Sequence, residues 1–120
     1  MVFEDRPLFV QITEQIESAI IDGSLAEEDQ VPSTNELAAF HRINPATALK
    51  GINRLVADGV LYKRRGIGMF VSAGARDLLR QRRRADFARQ YVDPLVAEAR
   101  RLGLGPDEIK SLLDDAVVGS

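Results

Sequence analysis

The chain has 120 residues, 45% of them hydrophobic and 28% charged, with a formal net charge of −2; that is the balance of one globular domain, or of a small domain with an appendage. No apolar run approaches the ~20 residues needed to cross a bilayer, and the opening MVFEDRPLF lacks the basic-then-apolar order of a secretory leader. With no cysteine, disulfides, thiolate metal sites and Cys-His catalysis are excluded, and no Ser-His-Asp set is read around the one histidine, His41. The expected setting is the cytoplasm, with no membrane contact, no metal, no cofactor and no enzymatic activity.

The small net charge conceals a segregation. From Met1 to His41 one cation, Arg6, faces nine acids, a balance of −8; from Arg42 to Arg84 eleven cations face Asp58 and Asp77, a balance of +9; the remainder carries −3. A polyanion responds to the local +9 rather than to the average. Charge runs are more often solvated faces than sites, so the block acquires meaning only from its geometry.

In chain order, RPLFVQITEQIESAIIDGSL opens with a proline suited to a first helical turn. Its apolar residues Phe9, Ile12, Ile16, Ala19 and Ile20 recur at steps of three and four, and Gly23 stands where a left-handed C-cap would end the helix. SLAEEDQVP reads as a polar connection. Ser33 with Glu36 three residues on is a capping box opening a short helix 2, whose buried side is expected to be Leu37, Ala38 and Phe40. Asn44 is a good N-cap and Pro45 a good first residue for helix 3, with Ala48, Leu49, Ile52, Leu55 and Val56 as its apolar stripe and Gly59 at its end. VLYKR, RGIG and MFVS then read as strand, glycine turn and strand. Two short helices followed directly by a hairpin make a winged helix-turn-helix, expected over about Pro7 to Ser72.

Beyond Gly74 a helical pattern takes over. Leu78, Ala85, Ala88, Val92, Leu95, Ala99 and Leu102 form a heptad-like seam, with Pro94 inside it predicting a kink or a break. GLGP makes a turn and DEIKSLLDDAV a last short helix. The seam is alanine-rich and would stay uncovered in a lone chain, which points to a helical dimerisation region. The fold class is thus mainly α with a small β-hairpin wing, divided into a DNA-binding domain over 1–73 and a dimerisation tail over 74–120.

On helix 3, Thr47, Lys50 and Arg54 are expected opposite the apolar stripe, while Pro45 and Ala46 keep the first turn slim; such a helix can enter a DNA major groove. At the hairpin, Arg64 and Arg65 on a turn without side chains at Gly66 and Gly68 can approach a minor groove closely, with Lys63 tracking phosphates. Taken singly, each pattern is no more than a wet helix face or a charged sheet edge. Both basic features fall on one surface of a winged helix, and DNA contact is the better account.

PLFVQITEQIESAIIDGSL, VPSTNELA and NPATALKGINRLVADGVLYKRRGIGMFV together resemble the GntR family of bacterial transcriptional regulators, and the Asn-Pro-x-Thr start of helix 3 with the short helical tail resembles its YtrA subfamily. The resemblance implies a homodimeric repressor without a large effector domain, and two recognition helices held by the dimeric tail would read a palindromic operator. It puts Thr47, Lys50, Arg65 and Gly66 on positions that usually meet DNA in the family, and Asn35 where the family usually offers an arginine. Gly51 stands where the family generally has alanine. The complete expected DNA-facing set is Ser33, Thr34 and Asn35; Asn44, Pro45, Ala46, Thr47, Lys50 and Arg54; and Lys63, Arg64, Arg65 and Gly66. A small-molecule effector between subunits is left open and unidentified.

Competing readings are weaker. A winged helix can serve protein assembly, its wing pairing with an acidic partner; RNA binding lacks the exposed aromatic platforms that stack bases. His41 is expected to cap or pack at the end of helix 2, and Asp114-Asp115 to face solvent. Gly66-Ile67-Gly68 is no nucleotide loop, because no helix follows it. Arg76, Arg80, Arg83 and Arg84 share one helical face, open to phosphates, to a partner's acids or to solvent alone.

Overall fold

Helix α1 (Leu8–Asp22) starts behind Pro7 and ends at Gly23, whose φ of 89° makes the left-handed cap the sequence predicts. The computed structural model describes residues 7–119; the first six residues, used above in reading the leader, lie outside these. Every fourth residue of α1 (Ile12, Ile16, Ile20) is buried, the spacing of one helical stripe. Helix α2 (Thr34–His41) begins with the expected capping box: the Glu36 N–H donates to Ser33 Oγ and the Ser33 N–H to the Glu36 carboxylate. Helix α3 (Pro45–Ala57) is capped by Asn44, whose Oδ1 accepts from the Ala46 N–H at 2.8 Å.

Strands β1 (Leu61–Arg64) and β2 (Gly68–Val71) form an antiparallel hairpin in register Leu61↔Val71 to Arg64↔Gly68. The segment read as a polar connection does more than connect. Val31 donates to the Met69 carbonyl, Glu28 to that of Val71, and Val71 to that of Asp29, so residues 28–31 pair along the outer edge of β2 and cover part of it. Period-2 hydrophobicity could not reveal this, since the segment carries Glu28, Asp29 and Gln30 on an edge.

Two compact units divide the chain, Met1–Gln81 and Arg82–Ser120. The first is built on a core of Ile12, Ile16, Ile20, Leu37, Ile52, Leu55, Leu61 and Val71 with their small neighbours. Of the expected apolar residues, Phe40 is 82% exposed and Leu49 46% exposed, and Phe9 and Ala19 are half-buried outside the cluster. In an eight-residue helix, Leu37 and Ala38 already define the inward side, and Phe40 lies past it.

The sequence places the end of the winged unit near Ser72, yet helix α4 (Ala75–Phe87) contributes Ala75 and Leu79 to the same core, exposed only 1% and 2%. Arg76 fastens this helix: its Nε donates to the Ile21 carbonyl at 3.0 Å, a cation at the C-terminus of α1 where the helix dipole favours one. That gives one of the four aligned arginines a structural duty. Leu79→Ala is expected to lower stability by about 2–5 kcal/mol, read as a fall in thermal midpoint, and a chain ending at Ala73 should suffer at least that loss.

In the second unit, the break expected at Pro94 is present as a π-helical turn over Ala88–Val92, with the Asp93 N–H reaching back to the Ala88 carbonyl. Proline cannot donate to the carbonyl four residues back and its ring crowds it, so the turn widens before α5 (Asp93–Arg101) resumes. Gly103 and Leu104 close α5 with bonds to Arg100 and Ala99, and α6 (Pro106–Val118) follows. Among the described residues of this unit, Ala99 is the one buried hydrophobic residue; Phe87, Tyr91, Leu95, Leu102, Leu112 and Leu113 are all exposed.

Candidate nucleic-acid interface

The N-terminal end of α2, the middle of α3 and the inner face of the hairpin converge. Ser33 and Thr34 from α2, Leu49 and Asn53 from α3, and Lys63 and Ile67 from the hairpin line one open cleft of about 310 Å³. The capped helix ends leave backbone N–H groups directed outward, where phosphate oxygens are favoured. Ser33 and Asn44 are committed to capping through their side-chain oxygens. The Ser33 backbone N–H, then its hydroxyl, holds the Glu36 carboxyl below the usual carboxylate range. Because that folded-state pKa is depressed, the box contributes stability above the ordinary carboxylate pKa and loses it as pH falls through the lowered one. Ser33→Ala should cost about 1 kcal/mol in chemical denaturation at neutral pH.

Along α3, Ala46, Lys50 and Arg54 are exposed and Thr47 is half-buried. Thr47 therefore lies on the flank of the helix rather than opposite the apolar stripe. Asn53, which the sequence reading did not single out, is exposed on the cleft side; its amide both donates and accepts, as recognition of an adenine edge requires. Lys50 and Arg54 both stand over the ring of Phe9.

The hairpin tip is a three-residue loop, Arg65-Gly66-Ile67, closed by the Ile67 N–H donating to the Arg64 carbonyl at 3.0 Å. Gly66 has φ 76° and Gly68 φ 147°, conformations that a side chain disfavours. Gln30 Nε2 donates to the Ile67 carbonyl at 3.0 Å, tying the tip to the edge segment. Strand pleating separates the three cations. Lys63 points to the cleft. Arg64 lies on the other face, its guanidinium 4.6 Å from the Phe70 ring centroid and 5.8 Å from that of Tyr62. Arg65 is at the exposed tip. On that outer face Tyr62 donates to Glu28 Oε2 at 2.5 Å, and this bond holds the phenol above its usual range. Asn35 is exposed at the start of α2.

Among the described residues no His, Cys, Asp or Glu cluster could hold a metal ion, and no helix is long and apolar enough to cross a membrane.

The comparisons agree with this geometry. The family model described as bacterial regulatory proteins, gntR family, matches residues 8–71, more than half the chain and the whole of the winged element. The chain is 26% identical to the HTH-type transcriptional repressor YtrA of Bacillus subtilis over 98 residues, covering 82% of this chain and 75% of that protein. A transcriptional regulator from Oenococcus oeni superposes with a TM-score of 0.78 at 27% identity, covering 98% of this chain and 96% of the other. The DNA-binding domain of AraR, solved in complex with operator ORX1, superposes with a TM-score of 0.55 at 31% identity, covering 59% of this chain and 93% of that domain. The family match, the order of its motifs and a winged helix that places the start of α2, the middle of α3 and a basic hairpin around one cleft lead to one conclusion: the chain belongs to the gntR family of bacterial regulatory proteins, and is a DNA-binding transcriptional regulator rather than an enzyme.

Proposed function

We propose that this chain is a homodimeric repressor that reads a palindromic operator, with α3 in the major groove and the hairpin tip in the flanking minor groove. The observation that carries the reading is one cleft lined by the start of α2, Asn53 of α3 and Lys63 of the hairpin, with Lys50 and Arg54 exposed on α3 beside Phe9 and Arg65 on the exposed tip. Asn53 and Lys50 present amide and ammonium groups to base edges; the ends of α2 and α3, with Ser33, Thr34, Asn35, Asn44 and Ala46, meet phosphates. Arg65 and the bare backbone at Gly66 suit a narrow, electronegative minor groove. The AraR domain, of the same fold, binds operator DNA in its own structure.

Dimerisation is the duty proposed for the second unit. A helical unit whose one buried apolar residue among those described is Ala99 does not close a core by itself, and a second copy of the same surface covers it with two-fold symmetry. The expected seam of Leu78, Ala85, Ala88, Val92, Leu95, Ala99 and Leu102 grows in this reading. Leu95, Ala99 and Leu102 share a groove of about 250 Å³ with Leu104, Leu112 and Leu113, so α6 belongs to the same apolar surface. Leu78 lies in the first unit.

Selection from random double-stranded DNA tests this directly. The expected outcome is an inverted repeat with half-sites about one helical turn (10–10.5 bp) apart. Enrichment of a single asymmetric site, or of none, would count against a dimeric operator reader.

A further inference from the structure

Phe9 stands in the first turn of α1, half-buried and outside the core cluster, so core packing does not account for an aromatic ring there. Over the ring lie two cations of α3. Lys50 Nζ is 4.2 Å from its centroid and the Arg54 guanidinium carbon 5.9 Å, both within the ~6 Å over which a ring face attracts a cation. Gly51 makes this approach available. A Cβ there would sit 3.0 Å from the Phe9 carbonyl oxygen, so the absent side chain lets the first turn of α1 rest against α3 between its two cations.

Lysine and arginine lose rotamer freedom when they dock on a ligand. A ring that already confines both lessens that loss. We propose that Phe9 is a positioning residue for DNA reading, its ring holding Lys50 and Arg54 in the orientation in which α3 presents them to the operator. The proposal rests on α3 being the DNA-contacting helix, as set out above. In this arrangement Gly51, which costs helix propensity, serves to seat the ring.

The test uses the full chain and the selected operator, with affinities from fluorescence anisotropy and proton NMR of the Lys50 side chain. Phe9→Leu, which keeps an apolar side chain but no ring face, should weaken operator binding by about three- to tenfold. Phe9→Tyr should bind like the wild type. In a Lys50→Met/Arg54→Met background, Phe9→Leu should have no further effect. The Lys50 ε-methylene protons of the wild type should be shifted upfield by the ring and return to ordinary positions in Phe9→Leu. An equal loss from Phe9→Leu in both backgrounds, or the same loss from Phe9→Tyr, marks simple packing and overturns the proposal. Wild-type Lys50 protons without an upfield shift overturn it too, whatever the stability of the variants. If Lys50→Met/Arg54→Met binds the operator as the wild type does, the reading of α3 itself fails; if that pair weakens binding and Phe9→Leu does not, the role of Phe9 alone falls.

Discussion

Raising the salt from about 50 to about 200 mM should weaken operator binding by about 10³–10⁵-fold, the loss expected when a dimer makes roughly 6–10 phosphate contacts. Each neutralised phosphate releases condensed counterions, and salt opposes that release. The magnitude follows from where the cations stand rather than from their number. The chain is acidic overall, at −2, and a protein with evenly mixed charge would have a shallow dependence. Lys50, Arg54, Lys63 and Arg65 are all exposed, and Lys63 lines the same cleft as the start of α2. An affinity that changes little across this range would remove the basic surface from the account.

Leu95→Asp should convert the dimer to a monomer and lower operator affinity by about 10²–10⁴-fold, because the second half-site is no longer held at high effective concentration. Leu95 is 39% exposed in the single chain and borders the groove shared by Leu102, Leu112 and Leu113. Covering that groove with a second copy would strip water from the new carboxylate and offer it no partner. Light scattering reports the mass and a DNA titration the affinity. Leu79, buried in the other unit, is untouched, so thermal unfolding of the winged unit should persist. A variant that still dimerises would place the contact between subunits elsewhere.

Much of the winged unit was legible because its signals are local. Ser33 with Glu36, Asn44 with Pro45, and Gly23 each set a helix end through groups within a few residues, and each stands as expected. What escaped pattern reading depends on distant partners. Residues 28–31 pair with β2 although nothing in Glu28-Asp29-Gln30 announces a strand. Ala75 and Leu79 join a core made by α1 and α3, and a helical period read locally cannot say which body a helix face meets. The seam extends onto α6 for the same reason: Leu112 and Leu113 share the groove of Leu95 and Leu102 only once Gly103 has turned the chain. At the interface, the cluster Lys63-Arg64-Arg65 reads as one charge run, whereas pleating sends Lys63 into the cleft and Arg64 onto Phe70. Asn53 lacks charge and periodicity, so only its place beside Lys63 singles it out.

The most direct test of the DNA-reading surface is a side-by-side titration of the selected operator and a scrambled duplex with wild type, Lys50→Ala, Arg65→Ala and the double variant. Lys50→Ala should cost about 1–3 kcal/mol and relax discrimination within the half-site if it reads a base, or weaken both duplexes alike if it meets phosphate. Arg65→Ala should weaken the operator most where its flanks are rich in A·T pairs, and the double variant should be weaker than either. Operator binding by the double variant equal to that of the wild type would contradict the placement of DNA on α3 and the wing.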